Sequence, residues 1–563
     1  MPSPRTLPSP RTLPSRGFTL WLTGASIVGA VIRIVQIQNV RQTCRHITTT
    51  LQSGCFRIWG DALFGYWQGQ MISHGLWWKD PLAYKLDALR SIRESAVKPP
   101  LYPGALGALG WWGGVAPLFV TIVLGLVLIA VVWAIAARRC GPLGARIVTG
   151  TSALAIVWFG LGGAVSTNEQ RLALAAVGVG LIGLMGSTAR SVAGERCGII
   201  AACIAAVHPL IWINDAMLQV ESMYAVAIVW VLNAAFRWWR TRSMAAMIEL
   251  SVAIGIAALL RPEAQLLLVA IVVPLLVRAG DVAWGRRLVQ FGAAVLICAL
   301  AWVPWLAWNQ HRFALAPLAG MTVSTGTVLV QAYCDETFYG EALGYWAAHC
   351  FVQPVTGEIR KGETSEQAVD RLLRVDGLSR RLLDSGAATV AGSAVSIRLD
   401  PAVLDDSEID AVYRAQALEY ARNHLRRLPA VAVARVARTL DLFRPFDTLR
   451  LSYQVEGRPR VPSTIGLVVH WCLMGLSIVG LAVCWRRRQT VVPYVGTIAT
   501  VLITTGLTFG VVRYRIPVDL VEVILGSVAI DALLDRRRRH LAPGPIPGPA
   551  DDPATVDHDE VPA

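Results

Sequence analysis

Long apolar runs recur along this chain, and they constrain its fold more than any other feature. A helix needs roughly 20 mostly apolar residues to cross a bilayer core, and runs of about that length alternate here with short polar segments. Of the 563 residues, 54% are hydrophobic and only 16% are charged. A soluble globule of this composition would have to hide an implausible share of apolar surface. We therefore predict an all-α polytopic membrane protein with about twelve transmembrane helices. The predicted spans are residues 17–37, 113–137, 147–166, 171–188, 198–219, 221–236, 244–260, 264–278, 288–307, 464–485, 491–510 and 516–534.

The basic residues mark helix ends instead of forming one patch. The net charge is +14, but the arginines stand at alternate helix ends, for example Arg138 and Arg139, Arg486 to Arg488, and Arg536 to Arg539. Cations collect on the cytoplasmic side of membrane proteins. The pattern predicts a multi-pass plasma-membrane protein with both termini in the cytoplasm. It makes the lipid bilayer the partner of the chain and argues against nucleic acid.

The spacing of these features predicts five segments along the chain. The first outer loop is rich in aromatic residues, which favour the headgroup level and indicate short interfacial helices. In the second outer segment, Ser407-Glu408-Ile409-Asp410 resembles a capping box, and Pro429 is suited to begin a further helix. We expect that segment to form a small, mostly helical extracytoplasmic subdomain. The segments are a disordered cytoplasmic leader (1–16), an N-terminal transmembrane catalytic module (17–307, with outer loop 38–110), the extracytoplasmic subdomain (308–463), C-terminal transmembrane helices (464–535) and a disordered cytoplasmic tail (536–563).

Two pairs of cysteines fall on the predicted outer side. They are Cys44 with Cys55 and Cys334 with Cys350. Disulfides persist outside the cytoplasm, so the pairs are disulfide candidates, and four unpaired thiols are the alternative. The histidines and cysteines show no spacing typical of a metal site.

Charged residues from distant parts of the chain converge on the predicted outer face. Such residues near membrane depth cost a few kcal/mol each and are usually functional or paired. Asp61, in the first outer loop, is the best candidate for a catalytic base. The set consists of Asp61, Lys98, Glu169, Asp215, Glu221, Arg261, Glu263, Arg513, Tyr514 and Arg515.

Cations and carboxylates together suit one kind of chemistry. Arginine and lysine neutralise a lipid phosphate at the bilayer surface. A carboxylate can then take a proton from an incoming hydroxyl while the attached sugar is transferred. The phosphate is already a good leaving group, so one base and a phosphate clamp would suffice.

Short motifs form an ordered series between about residues 18 and 535. They are Gly60-Asp61 with Tyr66-Trp67, Pro99-Pro100-Leu101-Tyr102-Pro103, His208-Pro209-Leu210 with Glu221-Ser222, Leu260-Arg261-Pro262-Glu263, Ser324-Thr325-Gly326, and Arg513-Tyr514-Arg515-Ile516-Pro517. This series resembles the polytopic C-type glycosyltransferases (GT-C fold) of family 39, which include relatives of the protein O-mannosyltransferases and of the lipid A aminoarabinose transferase.

The resemblance implies a hexosyl- or pentosyltransferase with an extracytoplasmic active site. The enzyme would move a sugar, with inversion, from a polyprenyl-phosphate donor to an envelope glycan, lipid or protein. Asp61 matches the catalytic acidic position of the family. The matching substrate contacts are Tyr66, Lys98, Tyr102, Arg261, Arg513 and Tyr514.

The chain departs from the family at two places. Ala62 stands where many relatives carry a second acid, which weakens any metal-dependent version. The apolar hairpin near 147–188 looks like an extra pair of helices, so that Glu169 or Glu221 could supply the second acid, and the residues flanking Glu221 match better. No cofactor is firmly implied, and a divalent metal is possible but unsupported.

Two other classes of protein stay open at this point. A polytopic transporter or lipid flippase would place ionisable or helix-breaking residues near the bilayer midplane in paired halves. The ionisable residues here gather at the outer boundary instead. A non-catalytic envelope-assembly factor would keep the same fold without transferring a sugar.

Overall fold

The structure is a computed structural model that describes residues 14–43, 60–86, 92–111, 167–315, 320–351 and 354–541. The chain within these ranges is predominantly helical. Its α-helices are α1 Arg16–Thr43, α2 Gly60–Ser73, α3 Pro81–Leu86, α4 Leu101–Trp111, α5 Thr167–Ala193, α6 Glu195–Val207, α7 Pro209–Ala216, α8 Glu221–Thr241, α9 Met244–Leu260, α10 Val273–Arg278, α11 Trp284–Arg312, α12 Thr325–Val330, α13 Asp335–Phe338, α14 Ser365–Leu373, α15 Ser379–Asp384, α16 Asp406–Asn423, α17 Leu428–Thr439, α18 Pro445–Glu456, α19 Arg460–Arg486, α20 Val492–Leu507 and α21 Ile516–Leu541.

Four helices of the described chain are long and apolar enough to cross a membrane, which makes the chain a membrane protein. They are Arg16–Val40, Gln170–Ala193, Trp284–Arg312 and Arg460–Arg486. A fifth is counted if α6 and α7, which meet at a bend of 48°, form one span. The predicted number of twelve is not confirmed, and the predicted spans 113–137 and 147–166 lie outside the described residues.

Two predicted spans are broken in the structure, and each contains a proline at the beginning of its last helical piece, Pro209 or Pro274. The predicted span 198–219 bends at His208, which is extended because Pro209 follows it and begins α7. The predicted span 264–278 divides into the 3₁₀ turn Pro262–Gln265, the π-helical segment Leu268–Val272 and α10. A prediction from run length and hydropathy alone detects neither break.

The main core is built from closely packed helices with small residues at their contacts. α8 lies in its centre, and Ala201, Ala202, Ala205 and Ala206 of α6 are buried within the same cluster. Small side chains let helix backbones approach one another, which favours helix packing in membranes.

Gly480 shows how tightly α19 packs on α21. A methyl group added at this position would overlap the backbone carbonyl of Leu525. We expect Gly480→Ala to lower the thermal unfolding temperature in detergent, because overpacking costs about 1–3 kcal/mol. Gly475→Ala on the same helix is the matched control, because nothing lies within 4 Å of its added methyl. Equal unfolding temperatures for the two variants would contradict this packing.

The second outer segment forms a mixed subdomain, defined here as residues 320–351 and 354–459. It contains a three-stranded antiparallel sheet in the order β1-β3-β2. Its strands are β1 Val355–Glu358, β2 Ala388–Ala391 and β3 Ala394–Ile397. The prediction of an all-α chain is therefore wrong in this segment. Sequence reasoning overlooked the two-residue turn Gly392-Ser393, which joins short strands whose Val395 and Ile397 enter the subdomain core.

The structure shifts several predicted boundaries by a few residues. α16 is capped by Asp405, whose carboxylate accepts from the backbone of Ser407 and Glu408, so that the capping box begins two residues before Ser407. α17 carries a proline in its first turn, as predicted at Pro429. α21 continues to Leu541, past the predicted end at 535.

A disulfide joins two turns of the mixed subdomain. Cys334 and Cys350 are bonded, with their Cα atoms 6.0 Å apart. This pairing agrees with the disulfide candidate from the sequence. The other candidate pair, Cys44 and Cys55, lies outside the described residues.

Candidate functional site

A cavity of about 380 Å³ lies where four distant parts of the chain meet. Its lining combines charged and polar side chains with apolar ones. The charged and polar part includes Asp61, Lys98, Tyr102, Glu221, Arg261, Glu263 and Tyr514. The apolar part includes Leu260, Leu266, Ile503 and Leu507.

Asp61 lies in the first turn of α2 and binds two cations. Its Oδ1 is 2.6 Å from the Nζ of Lys98, and its Oδ2 is 2.6 Å from the Nη1 of Arg513. Burial alone would raise the pKa of the Asp61 carboxyl, but the charges of Arg513 and Lys98 outweigh it and hold that pKa well below its usual range. The carboxylate is ionised and faces the cavity, with 40% of its side chain exposed.

Arg513 lies in the 3₁₀ turn Val512–Arg515 between α20 and α21. Its Nε is 3.4 Å from the Oε1 of Glu456, so the guanidinium bridges two carboxylates. Burial alone would lower the pKa of Arg513, but Asp61 and Glu456 raise it well above its usual value. No sequence motif pointed to Glu456, which stands at the end of α18.

A second group of charges centres on Arg261. Its Nη1 is 2.6 Å from the Oε1 of Glu221, and its Nε is 2.5 Å from the Oε1 of Glu263. Arg261 is extended because Pro262 follows it, and this backbone turns the guanidinium back toward α8. The guanidinium also lies 4.4 Å from the ring centre of Tyr514, a distance typical of a cation–π contact. Arg513 lies 5.5 Å from the ring centre of the same tyrosine. Asp61 and Lys98 of the first group line the same cavity as Arg261, whereas Arg513 and Glu456 are not among its lining residues and lie behind Asp61.

Lys98 reaches the cavity from a segment that is hydrogen-bonded to a distant part of the chain. The backbone N–H of Val323 donates to the carbonyl of Ala96 at 3.0 Å, and the hydroxyl of Ser324 donates to the carbonyl of Val97 at 3.1 Å. These bonds tie the first loop to the beginning of the mixed subdomain. Ser324 and Thr325, from the Ser-Thr-Gly motif, line the cavity as well.

The three tyrosines predicted as substrate contacts have different positions. Tyr514 and Tyr102 line the cavity, and the hydroxyl of Tyr102 donates to the carbonyl of Leu218. Tyr66 is buried in the main core, where its hydroxyl accepts from Gln70 at 2.6 Å, and it is not part of the lining. The sequence grouped Tyr66 with Asp61, but a residue five positions along a helix faces another way.

Other predicted charges lie away from the cavity. Asp215 forms a buried ion pair with Arg33, with a distance of 2.6 Å. Arg515 is fully buried and contacts Asp441 and Asp519. Glu169 lies near the start of α5, and its side chain is outside the described part of the structure. Among the described residues, Glu221 is therefore the predicted second acid that reaches the cavity.

The carboxylates of the cavity do not fit a divalent cation. Within the described ranges, Asp61, Glu221 and Glu263 each face lysine or arginine nitrogens at 2.5–2.6 Å. An ion placed among them would have to displace these nitrogens. The arrangement suits an anionic ligand that competes for the cations.

Comparison with protein-family models and with curated proteins finds no match. The chain is similar in structure to the archaeal oligosaccharyltransferase AglB from Archaeoglobus fulgidus in complex with an inhibitory peptide and a dolichol-phosphate, with a TM-score of 0.41 and 13% identity over 93% of this chain and 52% of that chain. It is also similar to an Archaeoglobus fulgidus oligosaccharyltransferase in complex with Zn and sulfate, with a TM-score of 0.42 and 14% identity over 93% of this chain and 50% of that chain. The chain spans about half the length of these structures. Similarity at this level does not bear on activity, so the site must be interpreted from its own geometry.

Proposed function

We propose that this chain is a membrane glycosyltransferase. It moves a sugar, with inversion, from a polyprenyl-phosphate donor to an extracytoplasmic envelope acceptor. One observation carries the proposal: a single cavity combines a carboxylate, cations that an anion can capture and an apolar wall. A lipid-linked phosphosugar has three parts that complement these: a sugar carbon that a hydroxyl activated by the carboxylate can attack, a phosphate for the cations, and an apolar chain for the apolar side chains.

Lys98 and Arg513 are the best binding groups for the donor phosphate. Both hold the single negative charge of Asp61 through contacts of 2.6 Å. A phosphate offers more oxygens and more charge than one carboxylate, and arginine can bind two of those oxygens at once. Arg513 also contacts Glu456, but Arg458 binds that carboxylate at 3.0 Å, so cations outnumber carboxylates in this group. Arg261 faces Glu221 and Glu263, so carboxylates outnumber the cation there. We infer that Arg261 contacts the sugar of the donor or maintains the shape of the cavity.

The apolar part of the cavity lining suits the isoprenoid chain. Leu507 is 61% exposed, Ile503 50% and Leu266 39%. These side chains belong to α20 and to the helical segment after Pro262. Each CH₂ group of a lipid that they cover contributes about 0.8 kcal/mol. An isoprenoid chain bound to these side chains would leave its phosphate free to bind Lys98 and Arg513.

Asp61 is the general base of the proposed reaction. The hydroxyl oxygen of the acceptor attacks the anomeric carbon, the bond from that carbon to the phosphate oxygen breaks, and the phosphate leaves with the bonding electrons. Asp61 takes the hydroxyl proton. While Lys98 and Arg513 hold it, Asp61 is a weak base. Capture of these cations by the donor phosphate raises its basicity at the step that needs it.

The first experiment tests the donor class. Purified protein in liposomes is titrated with polyprenyl phosphate and, as the control, with the uncharged polyprenol of the same length, and binding is followed by intrinsic fluorescence. We expect the phosphate to bind at least tenfold more tightly. In parallel, cells with and without the chain are compared for lipid-linked sugars and envelope glycans, and loss of the chain should cause one lipid-linked sugar to accumulate and one glycan to be truncated.

Two outcomes would refute the proposal. Equal affinities for polyprenyl phosphate and polyprenol would show that the protein has no site for the phosphate. Movement of an intact lipid-linked sugar across the liposome bilayer without cleavage would identify a flippase. The glycan that is truncated would also show whether the acceptor is a glycan, a lipid or a protein.

A further inference from the structure

A second polar cluster is buried between two long helices, and no residue of it lines the cavity. His470 belongs to α19, and Asp519 and Glu522 belong to α21. Because Asp519 and Glu522 are three residues apart, they share one face of their helix. Ligand atoms of the three side chains all lie within 4.8 Å of one another.

The hydrogen bonds of His470 define where its protons are. Its Nε2 is 3.1 Å from the carbonyl oxygen of Leu440. A carbonyl oxygen only accepts, so Nε2 must carry the hydrogen. Nδ1 then faces Glu522 Oε2 at 2.8 Å and Asp519 Oδ1 at 3.5 Å. A lone pair cannot face two carboxylates at these distances unless a cation lies between them, either a proton or a metal ion.

The charges of the cluster bear on the nature of this cation. Among the described residues, Arg515 is the guanidinium in contact with the group, at 2.9 Å from Asp519 and 2.6 Å from Asp441. One positive charge therefore faces the carboxylates of Asp441, Asp519 and Glu522, which leaves two negative charges in a buried place. An uncompensated buried charge costs several kcal/mol. Two protons, one on His470 and one on a carboxylate, would be needed to cancel both charges, and a single divalent ion would also cancel both.

One buried side chain supplies a further free ligand atom. Asp519 is fully buried, and its Oδ2 has no hydrogen-bond partner among the described residues. An oxygen in such a place is expected to have a partner, and a bound ion would provide one. His208, at the break between α6 and α7, is not part of the group whose ligand atoms lie within 4.8 Å of one another.

We propose that His470, Asp519 and Glu522 bind a divalent transition-metal ion and leave one position of the ion open to a water molecule. Nitrogen and carboxylate ligands of this kind suit Zn²⁺, which takes three protein ligands and a water molecule in many sites. A tetrahedral Zn²⁺ site keeps its ligand atoms roughly 3.3 Å apart. The 3.5 Å between Nδ1 and Asp519 Oδ1 is close to this separation, whereas the 2.8 Å between Nδ1 and Glu522 Oε2 would have to lengthen when an ion binds. The surroundings also fit, because metal-bound histidines usually donate their other N–H to a carbonyl group, as His470 does to Leu440.

The ion would have a structural role. It would tie α19 to α21 directly beside the turn Val512–Arg515, whose Arg513 reaches Asp61. The site does not depend on the proposed sugar transfer, because binding can be measured without substrate.

The test is a metal measurement on tag-free protein in detergent. The protein is stripped with EDTA, equilibrated with Zn²⁺, desalted and analysed by mass spectrometry. We expect about one zinc per chain for a single site of this kind, and at least a tenfold loss in Glu522→Gln and His470→Ala. His424→Ala is the control, because His424 lies in the mixed subdomain and should leave the stoichiometry unchanged. With Co²⁺ in place of Zn²⁺, the wild-type protein should show the visible absorption of a tetrahedral site.

Wild-type protein that takes up no zinc and shows no such absorption would overturn the proposal and leave a proton as the cation of the cluster. Full zinc binding by Glu522→Gln would overturn the ligand set. The wild-type measurement decides the question even where a variant fails to fold.

Discussion

Replacement of Asp61 by asparagine should lower the turnover number for sugar transfer by about 10²- to 10⁴-fold, the usual contribution of a general base. Asparagine has nearly the same shape but cannot accept the proton. The Michaelis constant for the donor should stay the same or fall, since Lys98 and Arg513 would no longer be held by a carboxylate. The measurement is a kinetic assay in liposomes with the lipid-linked sugar identified by the first experiment. A lower turnover number with an unchanged or lower Michaelis constant distinguishes a base from a residue that only shapes the cavity.

Asp80→Asn is the matched control for this prediction. Asp80 lies in the same loop, but it pairs with Arg93 at 3.0 Å and does not line the cavity. It should keep near-normal turnover. If Asp61→Asn transfers sugar as fast as the wild type while it folds and inserts normally, Asp61 is not the base.

Replacement of Lys98 by glutamine should mainly weaken donor binding. A hydrogen bond to a charged group is worth about 1.5–3 kcal/mol, which corresponds to roughly 10- to 150-fold in the dissociation constant of the donor. The effect should be large for polyprenyl phosphate and absent for polyprenol, because the alcohol lacks the phosphate that Lys98 would bind. The titration in liposomes measures both.

Lys79→Gln provides the comparison for Lys98. Lys79 also lies in the first loop, but it pairs with Glu94 and is not part of the cavity lining. It should leave the affinity for polyprenyl phosphate unchanged. The same loss of affinity in both variants would indicate a general effect of positive charge on the first loop and would contradict a phosphate site at Lys98.

The charged half of the candidate site was largely predictable from the sequence. Asp61, Lys98, Arg261 and Glu221 were selected because charged groups are rare beside apolar runs, and all four line the cavity. Arg513, selected for the same reason, contacts Asp61. Their roles in catalysis and substrate binding stay predictions that the variants above test.

Other parts of the site depend on contacts that no local pattern encodes. Glu456 contacts Arg513 across more than fifty residues of sequence, and it stands in no motif. Tyr66 stood beside Asp61 in a motif but is buried in the core. The His470 cluster was also missed, because its ligands come from two helices and have no metal-site spacing along the chain.

The sequence by itself determined that the chain belongs in a membrane, because the hydrophobic effect acts on composition and run length whatever the fold. Proline removes a backbone donor and restricts the residue before it, so the breaks at Pro209 and Pro274 are written in the sequence, but run length and hydropathy predicted unbroken spans there. Only the tertiary structure decided which charges meet. Ion pairs such as Asp61 with Arg513 form through space, and their partners depend on how the helices pack rather than on their order along the chain.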